Sequence, residues 1–212
     1  NLVITRDFDV IVTSTNNTPT LDAISNITIA EDASEQTVNL TGIGPGLNET
    51  ESVRVTASSD NPGLVPTPTV NYTDGNATGN LKFTPVANQN GTATISVTVE
   101  DAGPDGNLNT TNDNISVIRT FDVTVTPVND TPQASDVTYK PVENTLFVKG
   151  QANGLVTLVN DVDSDNLTFS VAAAPTNGSL SLNADGSFTY NPDTNFNKID
   201  SFDFVAHDGT TS

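Results

Sequence analysis

The sequence predicts an all-β protein made of two tandem Greek-key β-sandwiches, with one additional strand at the N-terminus. Short runs of alternating apolar residues are separated by Gly, Pro and Asn, which favour turns. No stretch shows the 3.6-residue apolar period of a helix. A segment at the N-terminus also recurs later in the chain, as expected of tandem domains.

The composition limits the classes of partner. The 212 residues include 26 acidic and 7 basic side chains, giving a formal net charge of −19. Such a charge repels nucleic acid and anionic membrane surfaces, and no run reaches the ~18 apolar residues needed for membrane insertion. Divalent cations are the natural counterions. We therefore expect a secreted protein, located outside the cell or on its surface.

The repeat is found by shifting the chain by 113 positions. Asn1 to Pro19 then aligns with Asn114 to Pro132, with 10 of 19 residues identical. In each copy a Phe and two Val occur at alternate positions, so one face of a strand is apolar. These residues are Phe8, Val10 and Val12 in the first copy and Phe121, Val123 and Val125 in the second. Both segments are predicted to be the closing strand of a sandwich, followed by a linker.

The alternating segments predict the remaining strands. In the first sandwich they are centred on Ile27 and Ile29, Val38 and Leu40, Val53 and Val55, Leu81 and Phe83, and Ile95 to Val99. In the second they lie around Val137 to Tyr139, Leu146 to Val148, Leu155 to Leu158, Leu167 to Val171, Leu180 to Leu182, Phe188 to Tyr190 and Phe202 to Ala206. The turn "NADGS" from Asn183 to Ser187 indicates a hairpin.

The predicted domain boundaries leave one strand spare and one missing. They are a closing or donor strand at 1–13, a linker at 14–20, a sandwich at 21–128, a linker at 129–133 and a second sandwich without its last strand at 134–212. Two explanations are open. The chain is a window from a longer tandem array, or residues 1–13 complete the second sandwich of a neighbouring copy and so build a filament.

Several phrases resemble a known family. The sequences "VTPVNDTP", "DVDSDNLTF" and "GSLSLNADGSFTYNPDTNF" are similar to the cadherin-like and Ig-like tandem repeats of large bacterial surface proteins and adhesins. The first sandwich resembles the Ig-like variant and the second the shorter cadherin-like variant. The resemblance implies a rigid rod of β-sandwiches that carries adhesion modules or forms extracellular fibres, often with calcium at the junctions.

Clustered side-chain oxygens suggest where calcium would bind, since this ion prefers six to eight hard oxygen ligands. One cluster alternates carboxylates at Asp161, Asp163 and Asp165, and the alternative is a solvated acidic turn. A second cluster lies in the segment that contains Asp101, Asp105, Asn107, Asn109 and Asp113, and the alternative is an Asn-rich hairpin tip.

The resemblance implies a further, interdomain calcium site. Asn129 and Asp130 of the second linker would meet two acidic pairs of the first sandwich, Glu31 with Asp32 and Glu100 with Asp101. Glu143 and Asp208 would face the far end of the second sandwich. The first linker has Asn16 and Asn17 instead of Asn129 and Asp130, and "LNETES" replaces "DVDSDN", which disfavours a calcium site at the first junction.

Asparagine occurs in N-x-S/T patterns more often than the hydroxyl content predicts, which favours a glycosylated extracellular surface. The alternative is a combination of Thr-rich strands and Asn-rich turns. The candidate glycosylation sites are Asn26, Asn48, Asn71, Asn76, Asn90 and Asn177.

Catalysis is not expected. His207 is the only histidine, the chain has no cysteine, and no serine or lysine lies in a nucleophile motif. The function predicted is that of a structural or adhesive repeat, and the alternative is a calcium-dependent ligand- or glycan-binding module of an adhesin.

Overall fold

A computed structural model describes residues 3–10, 15–110, 112–163 and 166–209. The described residues are nearly all in strands, turns and irregular segments, as the alternation predicts. The chain divides into two compact units, Asn1–Val128 (unit 1) and Asn129–Ser212 (unit 2). The described residues contain no helix with the length and apolarity that a bilayer span requires.

The described residues of unit 1 form seven strands in two sheets. They are β1 (Ile27–Ala30), β2 (Gln36–Thr41), β3 (Val53–Ser59), β4 (Thr69–Asn71), β5 (Thr78–Phe83), β6 (Gly91–Asp101) and β7 (Ser116–Thr126). One sheet has the order β1-β7-β6-β3 and the other the order β2-β5-β4. Strand β1 is parallel to β7, whereas the other pairs are antiparallel. The β4 strand was not predicted from the sequence.

The alternation of β6 and β7 explains the core of unit 1. Every second residue of β6 from Ala93 to Val99 is at most 1 % exposed, because these side chains share one face of the strand. Phe121, Val123 and Val125 of β7 are buried in the same core. The second half of the internal repeat is therefore a closing strand, as predicted.

The first half of the repeat has no such role in the described residues of unit 1. Residues 3–10 form no strand, and Phe8 and Val10 are 85 % and 72 % exposed. Val12 lies outside the described residues. The expected donor strand thus remains a prediction.

Unit 2 is smaller and less regular. Its strands are β8 (Gln133–Ala134), β9 (Phe147–Lys149), β10 (Val159–Asn160), β11 (Thr168–Ala173), β12 (Gly178–Leu182), β13 (Phe188–Pro192) and β14 (Asp203–His207). They form the sheets β12-β13-β9, β11-β14 and β10-β8. Leu155, Phe169 and Phe188 are the buried residues of its apolar cluster. The predicted hairpin at "NADGS" is confirmed, since it joins the antiparallel strands β12 and β13.

Two of the predicted strands in unit 2 are wrong. Residues 137–139 form no strand, and Leu155–Leu158 forms a short 3-10 helix after another at Gln151–Asn153. The N–H of Leu155 donates to the carbonyl of Gly186, and the Thr157 hydroxyl donates to the carbonyl of Gly154. These bonds turn the chain so that Leu155 enters the core, and the apolar run reflects that burial.

Candidate metal sites at the linkers

Asp101 is a buried carboxylate at the end of β6. It is 0 % exposed, and its Oδ1 accepts hydrogen bonds from Asn16 Nδ2 at 2.8 Å, the Gly103 N–H at 3.0 Å and the Ile115 N–H at 3.2 Å. Its Oδ2 is also buried and has no hydrogen-bond partner among the described residues. A buried acceptor without a donor is costly, which makes this oxygen a candidate ligand for a cation.

Glu49 lies beside the same linker. The N–H of Asn17 donates to Glu49 Oε1 at 2.7 Å, while Glu49 Oε2 is buried without a partner among the described residues. The adjacent residues Asn16 and Asn17 thus bind two carboxylates, each of which keeps one buried oxygen without a donor. Sequence analysis missed Glu49, because 32 residues separate it from Asn17.

The second linker makes the corresponding bonds inside unit 2. Asn129 Nδ2 donates to Asp208 Oδ2 at 2.8 Å, and the Asp130 N–H donates to Asp163 Oδ2 at 2.7 Å. The Asp163 N–H in turn donates to Asp161 Oδ1 at 2.9 Å, and Asp161 Oδ2 is buried without a partner among the described residues. These hydrogen bonds bring Asp130, Asp161 and Asp163 together. Asp165 lies outside the described residues.

The two linkers are equivalent under the 113-residue shift. Asn16 corresponds to Asn129 and Asn17 to Asp130. In each case the Asn amide binds the aspartate at the end of a strand, and the next N–H binds a loop carboxylate. Each linker therefore groups with the carboxylates of its own unit.

This arrangement corrects the expected grouping of Asp101 and Glu100 with Glu31. Strand β6 has eleven residues, and its antiparallel register places Gly91 opposite Val125 and Glu100 opposite Ser116. The Glu31 N–H donates to the carbonyl of Thr126, so Glu31 lies at the other end of the β6-β7 pair. At ~3.4 Å per residue the two ends are roughly 34 Å apart, so one ion cannot bind both acidic pairs.

Glu31 and Glu100 each have other partners. Glu31 is 1 % exposed, and its Oε1 accepts a hydrogen bond from the Val128 N–H at 2.8 Å. Glu100 forms an ion pair with Arg54 at 2.5 Å, and the hydrogen bond from Arg54 holds the pKa of Glu100 below its ordinary value. Asp32 is exposed. The prediction that Asp208 faces the far end with Glu143 is also wrong, because Asn129 binds Asp208.

The predicted ligands in the loop after β6 lie close together, but their side-chain oxygens accept hydrogen bonds from N–H groups of the same loop. The Asn107 N–H donates to Asp105 Oδ1 at 2.8 Å, and the Asn109 N–H donates to Asn107 Oδ1 at 3.1 Å. The Asp105 N–H donates to Asp113 Oδ2 at 3.4 Å. Asn16 Nδ2 also donates to the carbonyl of Asp113 at 2.6 Å, which joins this loop to the Asp101 cluster.

Acidic residues alone do not form a complete ligand set. Across residues 3–10, 15–110, 112–163 and 166–209, no group of three or more His, Cys, Asp or Glu side chains is arranged to hold a metal ion. Asn side chains, backbone carbonyls and water would have to supply the remaining oxygens at either linker.

The remaining predicted residues lie on the surface. Five of the six candidate glycosylation sites are exposed, and Asn177 is half-buried. The amides of Asn26 and Asn90 already bind Asp122 and Glu31. His207 is exposed on β14, with its Nε2 at 3.3 Å from the Ser170 hydroxyl.

A family model matches unit 2 of the chain. Residues 129–212 match the family model of the bacterial cadherin-like domain, which confirms the resemblance noted from the sequence. Curated protein sequences give no match.

Among solved structures, similar chains include cadherins and an enzyme. The protocadherin GammaB4 extracellular domain is 17 % identical over 92 % of this chain and 33 % of its own length, with a TM-score of 0.47. Extracellular cadherin domains 3-6 of protocadherin Gamma B2 give 16 % identity, 92 % and 48 % coverage and a TM-score of 0.45. The endo-fucoidan hydrolase MfFcnA4 from glycoside hydrolase family 107 gives 18 % identity, 95 % and 29 % coverage and a TM-score of 0.38. The chain thus spans about a third of the length of MfFcnA4 and protocadherin GammaB4.

Proposed function

We propose that this chain, whose residues 129–212 match the bacterial cadherin-like domain, is an extracellular structural or adhesive repeat that forms a rod or fibre stabilised by calcium. Each linker, with carboxylates of its own unit, holds calcium. The ion makes the linker rigid and limits the motion of adjacent repeats.

The observation that carries the proposal is the repeated hydrogen-bond pattern around buried oxygens. Asn16 and Asn129 bind Asp101 and Asp208, and buried oxygens of Asp101 and Asp161 have no donor among the described residues. A hard cation would satisfy these oxygens and offset the local negative charge. Without the ion, the neighbouring carboxylates repel each other and the linker loosens.

The calcium concentration of the surrounding fluid would determine whether the sites are filled and the rod is stiff. Extracellular calcium modules bind with dissociation constants of about 10⁻⁴ to 10⁻³ M, so the sites would fill in calcium-rich fluid outside the cell. This agrees with a secreted repeat protein of net charge −19, which needs counterions.

The test is a calorimetric titration of CaCl₂ into the chelator-treated chain. We expect binding in the stated range, with one binding event lost in Asp101→Asn and another in Asp161→Asn. Asp136→Asn removes the same charge from an exposed position, and it should bind calcium as the original chain does. If Asp101→Asn fails to fold, Glu49→Gln tests the same site. The absence of both calcium binding and a calcium-induced rise in Tm would overturn the proposal.

We further propose that residues 1–13 complete a sandwich in a neighbouring copy. In unit 1, β6 lies between β3 and the closing strand β7. The corresponding strand of unit 2 is β14, because the aspartate bound by the linker Asn is the last residue of β6 in unit 1 and directly follows β14 in unit 2. Among the described residues β14 pairs only with β11, so its other edge is available to a strand. Residues 3–10 carry the β7-like sequence and expose Phe8 and Val10.

Light scattering at increasing protein concentration tests this association. The chain should form head-to-tail oligomers, and Phe8→Asp should abolish them because it places a charge in the core of the completed sandwich. Thr5→Asp adds the same charge at a position aligned with Ile118, which is 56 % exposed, and should still associate. A chain that stays monomeric at every concentration would refute the donor-strand assembly and leave the calcium proposal standing.

A further inference from the structure

A groove lies on the outer face of the three-stranded sheet of unit 1. Its volume is about 690 Å³, within the ~300 to 1,000 Å³ of small-molecule sites. Its polar lining includes Asn39, Thr41, Asn71, Tyr72, Asn76 and Asn80. No Asp, Glu, Lys, Arg or His lines this groove in the described part of the chain. That neutrality contrasts with the acidic surface of the protein.

The strand register places three of these amides in one row. Asn80 of β5 is opposite Asn39 of β2 on one side and opposite Asn71 of β4 on the other. Adjacent strands are ~4.8 Å apart, so the row crosses the sheet in regular steps. Leu40 and Leu81 alternate with Asn39 and Asn80 and are buried, so the amides face outward.

Two amides of this row are held by a hydrogen bond, and the third, that of Asn39, can contact a ligand. Asn71 Nδ2 donates to Asn80 Oδ1 at 3.1 Å, which orients two of the amides. No side-chain hydrogen bond joins Asn39 to another residue of the described ranges, and its side chain is exposed. Asn39 therefore offers both a donor and an acceptor to a ligand.

Tyr72 and Gly79 shape one end of the groove. Tyr72 is half-buried and packs against the core of unit 1, which holds its ring in place. A Cβ at Gly79 would lie 3.0 Å from the Asn71 carbonyl oxygen and 3.4 Å from Tyr72 Cδ2. Glycine at this position keeps the surface beside the ring open.

We propose that this groove binds a neutral oligosaccharide. An anion would find no cationic partner in the lining and a cation would find no carboxylate, whereas an apolar ligand would leave the amides unpaired. Sugar hydroxyls both donate and accept, which matches the Asn amides and the Thr hydroxyls. A protein partner is disfavoured, because Asn and Thr make up most of the lining, whereas the centre of a protein interface is typically apolar and aromatic.

The binding is independent of the calcium sites, so the proposal does not rest on the rod. Two candidate glycosylation sites, Asn71 and Asn76, line the groove, and a glycan on either would occupy it. The test therefore uses the full chain made without glycosylation, in the presence of a calcium chelator.

The experiment is an NMR titration of the ¹⁵N-labelled chain with cellohexaose, xylohexaose and maltohexaose in turn. At least one should shift amide signals of β2, β4 and β5 and leave the signals of unit 2 unchanged. Asn39→Ala should weaken binding at least ~10-fold, and Asn61→Ala, a change outside the groove, should not. Tyr72→Phe is the second variant if Asn39→Ala does not fold.

Several results would overturn the proposal. These are the absence of shifts with all three sugars, shifts that Asn39→Ala leaves unchanged, or tighter binding of the acidic hexagalacturonate. Shifts at this face that depend on protein concentration without sugar would show that a second copy occupies it instead. A separate CaCl₂ titration of the same sample distinguishes loss of the groove from loss of the calcium sites.

Discussion

Asn16 and Asp101 are joined by a 2.8 Å hydrogen bond that spans 85 residues of sequence. The bond connects the first linker with the buried end of β6. Asn129 and Asp208 form the same bond in unit 2, at a more exposed position. The Asn–Asp pair is thus a repeated connection between each linker and the rest of its own unit.

Removing this amide should destabilise unit 1. Asn16→Ala deletes the donor to Asp101 Oδ1 and to the Asp113 carbonyl, and hydrogen bonds to charged groups contribute about 1.5–3 kcal/mol. Asn129→Ala should cost less, because water can replace the donor at an exposed carboxylate. Urea unfolding monitored by NMR signals of each unit measures both losses. Equal losses, or none in Asn16→Ala, would contradict this assignment.

Gly103 and Gly106 form a matched pair for testing the acidic loop. Both have positive φ, at 59° and 69°, so alanine at either position pays the left-handed penalty of ~1–2 kcal/mol. A Cβ at Gly103 would also lie 2.6 Å from the Asp113 carbonyl oxygen, whereas nothing lies within 4 Å at Gly106. Gly103→Ala should therefore lower Tm more than Gly106→Ala, as measured by calorimetry. A larger effect of Gly106→Ala would show that the loop does not close on Asp113 in solution.

Unit 2 should lose stability in acid through Asp200. Burial alone would raise the pKa of Asp200, but N–H donors from Thr176 and Asn177, the Tyr190 hydroxyl and the Ser201 N–H lower it to about 2 from 3.8. A depressed pKa contributes stability above 3.8 that is lost as the pH falls through about 2. In Asp200→Asn, Tm should be lower at neutral pH and should fall less across this window than in the original chain. An unchanged acid profile in the variant would refute the assignment.

The hydrogen bond between Tyr190 and Asp200 also predicts a loss of stability of unit 2 at alkaline pH. Burial, followed by the hydrogen bond to Asp200, raises the pKa of Tyr190 from 10.0 to about 12. A raised pKa contributes stability below 10 that is lost as the pH rises through about 12. Tyr190→Phe should remove this loss, as followed by ultraviolet titration and Tm. Retention of the full alkaline loss in that variant would count against the pair.

The small core of unit 2 should be sensitive to one substitution. Phe188 is 2 % exposed and contacts the rings of Tyr139, Phe147 and Phe202. Phe188→Ala should cost about 3–5 kcal/mol and unfold unit 2 at lower temperature, while the transition of unit 1 stays unchanged. The neighbouring Thr189→Ala is the control, with little expected change. Two transitions that shift together in calorimetry would mean that the units do not unfold independently.

Local sequence pattern predicted six of the seven strands described in unit 1, all except β4. The alternation of Ile95, Val97 and Val99 predicts a strand with one buried face, and all three are buried. The same signal was misleading at Leu155–Leu158, because burial of a short apolar run does not distinguish a strand from a 3-10 turn. The repeat and the family of residues 129–212 were also evident from sequence, since both depend on residue identity at fixed spacing.

Only the tertiary structure decided which carboxylates share a site. Oxygen ligands can be recognised from residue type, and Asp161 and Asp163 are close in sequence. Antiparallel pairing can bring residues that are distant in sequence to the same end of a sheet, as it does for Asn17 and Glu49. It also places the two ends of a long strand far apart, which separates Glu31 from Asp101. The amide row across β2, β5 and β4 has the same origin, since strand register rather than sequence spacing aligns Asn39, Asn80 and Asn71.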